Sequence, residues 1–388
     1  MSGLAAAGPA AGAAPDVAGA APVVTGAGVE PVAFADLPGW AADDHGQAWR
    51  AWMASCRASA GKAAPSRAGR PAPARLAALC RAGLRAGVRD AAAARRFFQR
   101  HFAAFRITPE GGAGFFTGYY EPEVVGSLTR SARFATPLYG RPADLVTFDQ
   151  GKAPAGLEGY AAARRTAAGG LEPYPDRAAI EDGALDGQGL ERAFLADPID
   201  RFFMQVQGSG RLRLPDGRVL RLAYDGRNGQ PYTAIGRIAA DRSGVPRSSM
   251  TMDVLRAWLA EDAGRARTVM RENRSFVFFR IATELDPALG PIGGEGVPLT
   301  PLRSLAVDRA VWPYGLPVYV DAELPGAGGA VEPFRHLMIA QDTGSAIVGP
   351  ARGDIFFGPG EAAGARAGLT RHPGSFVVLW PKAAAGRR

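Results

Sequence analysis

Two aspartates near the C-terminal end of the chain, Asp342 and Asp354, sit in QDTGSAIVGPARGDIFFG (residues 341–358). They flank a short apolar run and a turn holding Gly349, Pro350 and Gly353. Folded as a hairpin turning near Val348–Gly349, the segment would set the two carboxylates opposite one another on one face. Like charges that close disfavour joint ionisation, so one carboxyl would stay protonated to higher pH. That is what a general acid needs near neutrality. The plainer use of two such aspartates is to accept bonds from turn amides, and spacing alone favours that use.

Two further segments could handle a polar substrate. In TGYYEPEVVG (117–126), Thr117, Gly118 and Tyr119 precede Tyr120 and Glu121. Aromatic faces beside a carboxylate suit a sugar-binding cleft, and equally an ordinary strand with Tyr119 buried and Tyr120 exposed. In QVQGSGRLRL (205–214), Gln205 and Gln207 alternate with Val206, which on a strand puts both amides on one side. With Ser209 and the bare backbone of Gly208 and Gly210 they would form a neutral surface for hydroxyl and N-acetyl groups. The GSG is no phosphate loop, since neither Lys-Ser/Thr nor a helix follows. Serine catalysis of the GxSxG type lacks its strand-to-helix setting and a placed histidine. His45, His101, His336 and His372 are too few and too dispersed for zinc, and no CxxC occurs. No metal and no cofactor are expected.

These groups need elements to position them. Trp49, Trp52, Met53 and Cys56 fall at helical spacing, as do Leu76, Leu79, Cys80 and Leu84, and then Phe97, Phe98, Phe102 and Phe105. The proline- and glycine-rich AGKAAPSRAGRPAPA (60–74) reads as a loop. From Gly111 the pattern turns to short β-type runs: GFFTGYYEPEVVGS, RFFMQVQGSGRLRLPDGRVLRLAYDG and SFVFFRI. Pro215-Asp216-Gly217 between alternating runs predicts a hairpin. MTMDVLRAWLAEDA reads as a helix capped by Ser248 or Ser249. Beyond Gly290, LRSLAVD, LPVYVDAEL, FRHLMIAQD, SAIVG, DIFFG and SFVVLW read as strands. Many short strands at close spacing point to barrels rather than a doubly wound sheet.

A chain of 388 residues has room for two domains, and 47% hydrophobic with 21% charged residues places it among globular proteins. A formal charge of +8 favours polyanionic partners, either nucleic acid or carboxylate-bearing cell wall. The arginines are scattered and no nucleic-acid motif appears, which argues against the first. Cys56 and Cys80 are either two buried apolar positions on adjacent helices or a bridge between them, the latter requiring an oxidising compartment. No run of 18 apolar residues could span a membrane as a helix. The Ala/Gly/Pro-rich start, without the pattern of an export signal, is expected to be a flexible leader over residues 1–35.

TGYYEP, QVQGSG with YDGRNGQPYTAIGR, NRSFVFFR, VPLTPLRSLAVDRAVWPYGLPVYV and QDTGSAIVGPARGDIFFG, in that order, resemble the membrane-bound lytic murein transglycosylase A family. The resemblance runs from about Phe97 to Trp380. Its last part is similar to the three-aspartate (3D) domain, with Asp308, Asp342 and Asp354 at the three aspartates. It implies a mainly β protein: a double-psi β-barrel with N-terminal helices from 36–122 plus 289–388 (3D domain about 298–380), and a smaller, barrel-like β domain inserted at 123–288. It implies cleavage of the β-1,4 bond between N-acetylmuramic acid and N-acetylglucosamine, leaving a 1,6-anhydromuramoyl end. Asp354 is then the catalytic acid and base, with Asp342 and Asp308 in support. The glycan would be held by Thr117, Gly118, Tyr119, Gln205, Gln207, Gly208, Ser209 and Gly210. Peptidoglycan strands are the implied partner, other cell-wall enzymes are further candidates, and the protein is expected to be a monomer in the periplasm, associated with the outer membrane. The competing readings are a peptidoglycan-binding module and a two-carboxylate hydrolase pairing Asp354 with Glu121 or Asp342. An aspartic protease is disfavoured because DTG occurs once, at 342–344.

Overall fold

The computed structural model describes residues 21–383 except Ala63, Arg89, 149–151, 284–288 and Ala327. Three helices lie near the start: α1 (His45–Ala60), α2 (Ala74–Arg85) and α3 (Ala91–His101). Asp44 and Asp90 cap α1 and α3 by accepting from the amides of Gln47 and Ala93, satisfying donors that a helix start leaves over. Trp49, Trp52 and Met53 of α1 are buried with Leu76 and Leu79 of α2, and Phe97 and Phe98 of α3 meet the two tryptophan rings. Cys56 and Cys80 form a disulfide between α1 and α2. Leu84 is exposed. The third helical stripe is shorter than expected. It ends at His101, and Phe102 and Phe105 belong to a strand, where they stay buried by pairing with the C-terminal strand.

That strand is β2 (Phe102–Pro109), and β1 (Ala27–Val32) pairs antiparallel with it along its length. The expected flexible leader is therefore corrected over Ala27–Val32, whose backbone is held by β2 and whose last residue, Val32, is buried. Residues 1–20 lie outside the described residues. β3 (Gly114–Glu121) follows, and at Pro122 the chain enters a second unit.

The second unit contains β4 (Glu123–Ser127), β5 (Thr136–Tyr139), β6 (Leu145–Thr147), β7 (Ala162–Arg165), β8 (Leu171–Pro173), β9 (Glu191–Leu195), β10 (Gly210–Arg213), β11 (Val219–Arg227) and β12 (Val277–Ile281). Six of these form a sheet in the order β12-β11-β10-β4-β9-β5, and β6-β7-β8 form another. The Pro215-Asp216-Gly217 turn joins β10 to β11 as predicted. RFFMQVQ is not a strand but the end of a helix, Pro198–Gln207. Pro198 in its first turn, the Asp197 cap and apolar Ile199, Phe202 and Phe203 at helical spacing all favour that outcome. The later helix begins at Met252 with Thr251 as its cap, in place of Ser248 or Ser249, because the Thr251 hydroxyl reaches the Val254 amide.

The chain then returns as β13 (Ser304–Val307), β14 (Pro317–Pro325), β15 (Val331–Asp342), β16 (Arg352–Pro359) and β17 (Arg371–Pro381). With β3 these close a six-strand barrel, β3-β16-β13-β15-β14-β17 and back to β3, in which β3–β16 and β13–β15 are parallel. Phe116, Leu305, Val307, Val318, Met338, Ile355 and Phe376 fill it. Each such side chain stabilises the fold by roughly 1.5–3 kcal/mol when fully buried. SAIVG is a turn, not the expected strand: β15 and β16 each pair with β13, so the link between them need only span one strand.

Glu121, at the end of β3, is wholly buried. It accepts from Arg211 Nε on β10 at 2.8 Å and from Arg221 Nε on β11 at 2.8 Å, while Arg221 also donates to the Leu289 carbonyl. Both passages of the chain between the units are thus tied at one ionic point, and this carboxylate is spent on structure. Removing one partner of such a buried group leaves charge uncompensated. Glu121→Gln should destabilise the protein by about 3–5 kcal/mol, measured by denaturant unfolding; a change within experimental scatter would contradict this role.

Candidate active site

Burial of Phe116, Leu305, Val307 and Ile355 in the barrel fixes which way their neighbours point, since successive strand residues face opposite sides. Thr117, Ala306 and Asp354 therefore share the outer face. Ala306 pairs with Asp354 on β16 and with Asp342 on β15, and Asp354 pairs on its other side with Thr117 of β3. The expected hairpin between the two aspartates does not form. They instead flank β13, roughly two strand spacings or about 9.5 Å apart at the backbone. Gly353 is a glycine for a packing reason, because a Cβ there would lie 2.9 Å from the Phe116 ring inside the barrel.

Asp354 accepts a hydrogen bond at Oδ1 from the Thr117 hydroxyl. Thr117 Oγ1 in turn accepts from Arg352 Nη2 at 2.7 Å, which directs the hydroxyl hydrogen toward Asp354. Among the described residues no donor reaches the other carboxylate oxygen, Oδ2. Burial holds the Asp354 carboxyl above the ordinary aspartate range; Arg352 and the Thr117 hydroxyl oppose that shift, and the charge of Asp342 adds to it. The arrangement is a carboxyl with one oxygen fixed and one free, biased toward carrying a proton.

Asp342 is engaged on both oxygens. Tyr119 Oη donates to it at 2.9 Å, and the amides of Gly294 and Thr343 donate at 2.7 and 2.8 Å. Gly294 must be bare, since a Cβ would meet Tyr314 Oη at 2.7 Å and Asp342 at 3.3 Å. Behind it, Gln341 links Ser304 to Ser55 of α1, and Ser55 donates to Glu295 at 2.6 Å. Burial pushes the Glu295 carboxyl up to about 8. Asp308 accepts from the Ala310 and Gly349 amides at 2.9 and 2.8 Å. It pins the turn that carries the chain from Asp342 to Asp354, the plain turn-amide role.

The expected glutamine surface is corrected. Gln205 and Gln207 lie on the last turn of a helix, not a strand. Gln205 is buried, accepting from Arg177 Nη1 at 2.6 Å and donating to the Val277 carbonyl. It cannot face a substrate. Gln207 reaches β3, where its carbonyl oxygen accepts from the Tyr120 amide at 3.1 Å. Gly208 closes the helix in the left-handed conformation, Ser209 is buried, and a Cβ on Gly210 would strike Met204. A Cβ on Gly118 would strike Phe357 and the backbone of Ala367, so this residue faces the helix Glu361–Leu369, away from Thr117.

Three residues of the site were not foreseen. Arg352 occupies the spacer before Asp354. Tyr232, in YDGRNGQPYTAIGR, feels the charge of Asp354, which together with burial raises its phenol. Arg67 comes from the loop 60–74: it donates to the Thr343 carbonyl at 2.7 Å, lies 4.0 Å over the Tyr224 ring of the second unit, and senses Asp342. The many prolines and glycines of that loop conceal it, since nothing local marks one arginine among several.

A family model described as the MltA specific insert domain matches residues 115–280, and one described as the 3D domain matches 303–380. Membrane-bound lytic murein transglycosylase A of Vibrio cholerae is 34% identical over 264 residues, 67% of this chain and 63% of its own length, so the match spans just under two thirds of that relative. The Escherichia coli K12 protein of the same name is 32% identical over 276 residues, 70% of this chain and 67% of its own. The crystal structure of a membrane-bound lytic murein transglycosylase from Agrobacterium tumefaciens superposes with a TM-score of 0.82 at 39% identity, covering 91% of this chain and 97% of that one. E. coli MltA with bound chitohexaose superposes with a TM-score of 0.59 at 29% identity, covering 80% and 83%.

Thr117 donates to the charged form of Asp354 and so lowers its pKa against the pull of burial. Thr117→Val should therefore move that pKa further up, read by NMR titration of labelled aspartate carboxyls. A downward move would show that the hydroxyl does not stabilise the carboxylate.

Proposed function

The chain belongs to the membrane-bound lytic murein transglycosylase A family, and from that premise we propose that it cleaves peptidoglycan strands at the β-1,4 bond between N-acetylmuramic acid and N-acetylglucosamine, with Asp354 as the single proton shuttle. The observation that carries this is the Asp354 carboxyl itself: buried on one side, held at Oδ1, open at Oδ2 and raised in pKa.

Protonated Asp354 gives its proton to the glycosidic oxygen as the bond to the muramoyl anomeric carbon breaks. The C6 hydroxyl of the same sugar attacks that carbon, and its proton passes to the Asp354 carboxylate. The acid is regenerated, the 1,6-anhydro ring closes and no water is consumed. Because the attacking hydroxyl is tethered to the reacting ring, the entropic cost of bringing in a separate nucleophile is avoided. A second catalytic carboxylate is not required, which agrees with the engagement of the alternatives. Glu121 is buried between two arginines, and Asp342 has both oxygens bonded to the protein. Asp342 acts instead through its charge and by fixing Tyr119 and the Gly294 loop, and Asp308 acts by fixing the turn. Thr117, Tyr119, Gln207 and Tyr232 are the groups we assign to the glycan. E. coli MltA has been crystallised with chitohexaose, and an N-acetylated sugar chain is the ligand class assigned here.

We take residues 123–288 as the inserted unit and 36–122 with 289–388 as the barrel unit, on the strand membership of the two sheets; 284–288 lie outside the described residues. The disulfide between Cys56 and Cys80 suits an oxidising compartment, and the relatives are named membrane-bound, so the periplasm, with outer-membrane association, is the assigned location. No helix among the described residues is long and apolar enough to cross a membrane.

Asp354→Asn should lower turnover of purified sacculi by about 10²–10⁴-fold or more while glycan binding persists. Mass spectrometry of wild-type products should find muramoyl ends one water short of a reducing sugar. Reducing ends would identify a hydrolase instead, and binding without any release would identify a binding module.

A further inference from the structure

A cavity of about 470 Å³ opens between the 227–237 segment of the inserted unit and Ser345–Ala346 of the barrel turn; Arg227, Gln230, Tyr232 and Arg237 line it. Tyr232 places it within the field of Asp354. Arg227 is half buried, and among the described residues no acceptor stands within bonding distance of its guanidinium. Its charged neighbours are two more arginines, Arg67 and Arg309. Both have protein partners: Arg67 donates to the Thr343 carbonyl and Arg309 to the Ala68 carbonyl. Burial lowers the Arg227 pKa first, the Arg67 and Arg309 charges lower it further, and only the Tyr224 phenol opposes them. Arg227 and Arg237 thus line an open cavity while Arg67 and Arg309 add like charge beside Arg227, and Asp342, the acid that faces Arg67, is saturated by its own three donors. An anion entering the cavity would relieve that repulsion and supply Arg227 with an acceptor.

We propose that Arg227, backed by Arg67 and Arg309, binds a carboxylate carried by the muramic acid residue beside the cleaved bond. The inference rests on the substrate class assigned above. That substrate offers carboxylates from two sources. In a bare strand the lactyl ether of each muramic acid ends in a free carboxylate. In a peptide-bearing strand that group is an amide, and the peptide carries carboxylates of its own. Chitohexaose, built of N-acetylglucosamine alone, has none. Arg227 is therefore a specificity residue that distinguishes murein from chitin-like chains, while Asp354 performs the chemistry on whatever is bound.

The test compares Arg227→Gln and Arg227→Lys with wild type on bare glycan strands, on peptide-bearing sacculi and on chitohexaose. Arg227→Gln should raise KM about tenfold or more, the loss of a charge-assisted hydrogen bond, with kcat and chitohexaose affinity unchanged. Arg227→Lys should recover most of the loss. A defect confined to bare strands identifies the lactyl group; one confined to sacculi identifies the stem peptide; a defect on both supports the shared chemistry. An equal loss of chitohexaose affinity, or no change on either carboxylate-bearing substrate, overturns the proposal. Reducing ends among wild-type products would overturn the transglycosylase reading and leave the Arg227 comparison interpretable.

Discussion

The pairing of β16 between β13 and β3 is the constraint on which the site rests. It sets Asp354 beside Ala306 on one side and Thr117 on the other, and Ala306 in turn carries Asp342 on its far side. The register is enforced from within the barrel. Gly353 yields to Phe116, and Ile355 fills the core, so a slip of one residue would drive a carboxylate inward and a leucine-sized side chain outward. Packing on one face thereby determines chemistry on the other.

Around that row, two tendencies are balanced against each other. Burial favours the neutral form of Asp354, while Arg352 and Thr117 favour the anion. In the proposed reaction Asp354 gives up a proton and then takes one back, which needs both tendencies, since a fully desolvated acid would not ionise and a fully paired one would not protonate. Asp342 and Asp308 solve a different problem. Their oxygens are taken by backbone amides and by Tyr119, which fixes the loops at either end of the link between β15 and β16.

The inserted unit reaches the barrel through a second ionic centre, Glu121 with Arg211 and Arg221, at the place where the chain leaves and re-enters. Arg67 makes another link, lying over Tyr224 of one unit while bonded to Thr343 of the other. The two units are therefore joined by polar contacts along the same side as the row of Asp342 and Asp354, and the cavity beside Arg227 is bounded by both. Cationic groups gather there because the links are arginines.

The sequence by itself determined where the three helices lie, the strand-rich character after Gly111 and the Pro215–Gly217 hairpin, while ordered motifs rather than spacing singled out Asp354 for the proposed role. These are properties of short segments, where side-chain period and turn chemistry act locally. Tertiary structure decided everything that depends on which strands become neighbours. Asp342 and Asp354 looked like hairpin partners because they are close in sequence, yet β13 comes between them. Gln205 and Gln207 looked like one face of a strand, because period-two alternation over three residues cannot be told from a helix end without Pro198 and Asp197 upstream. Glu121 looked like a free carboxylate until two arginines about 90 and 100 residues away closed on it. Arg67 and Tyr232, on loops, and Arg352, at the start of β16, gained their places only when those segments were folded against one cleft, since a side chain's distant partners are set by the fold and leave no mark on its immediate sequence.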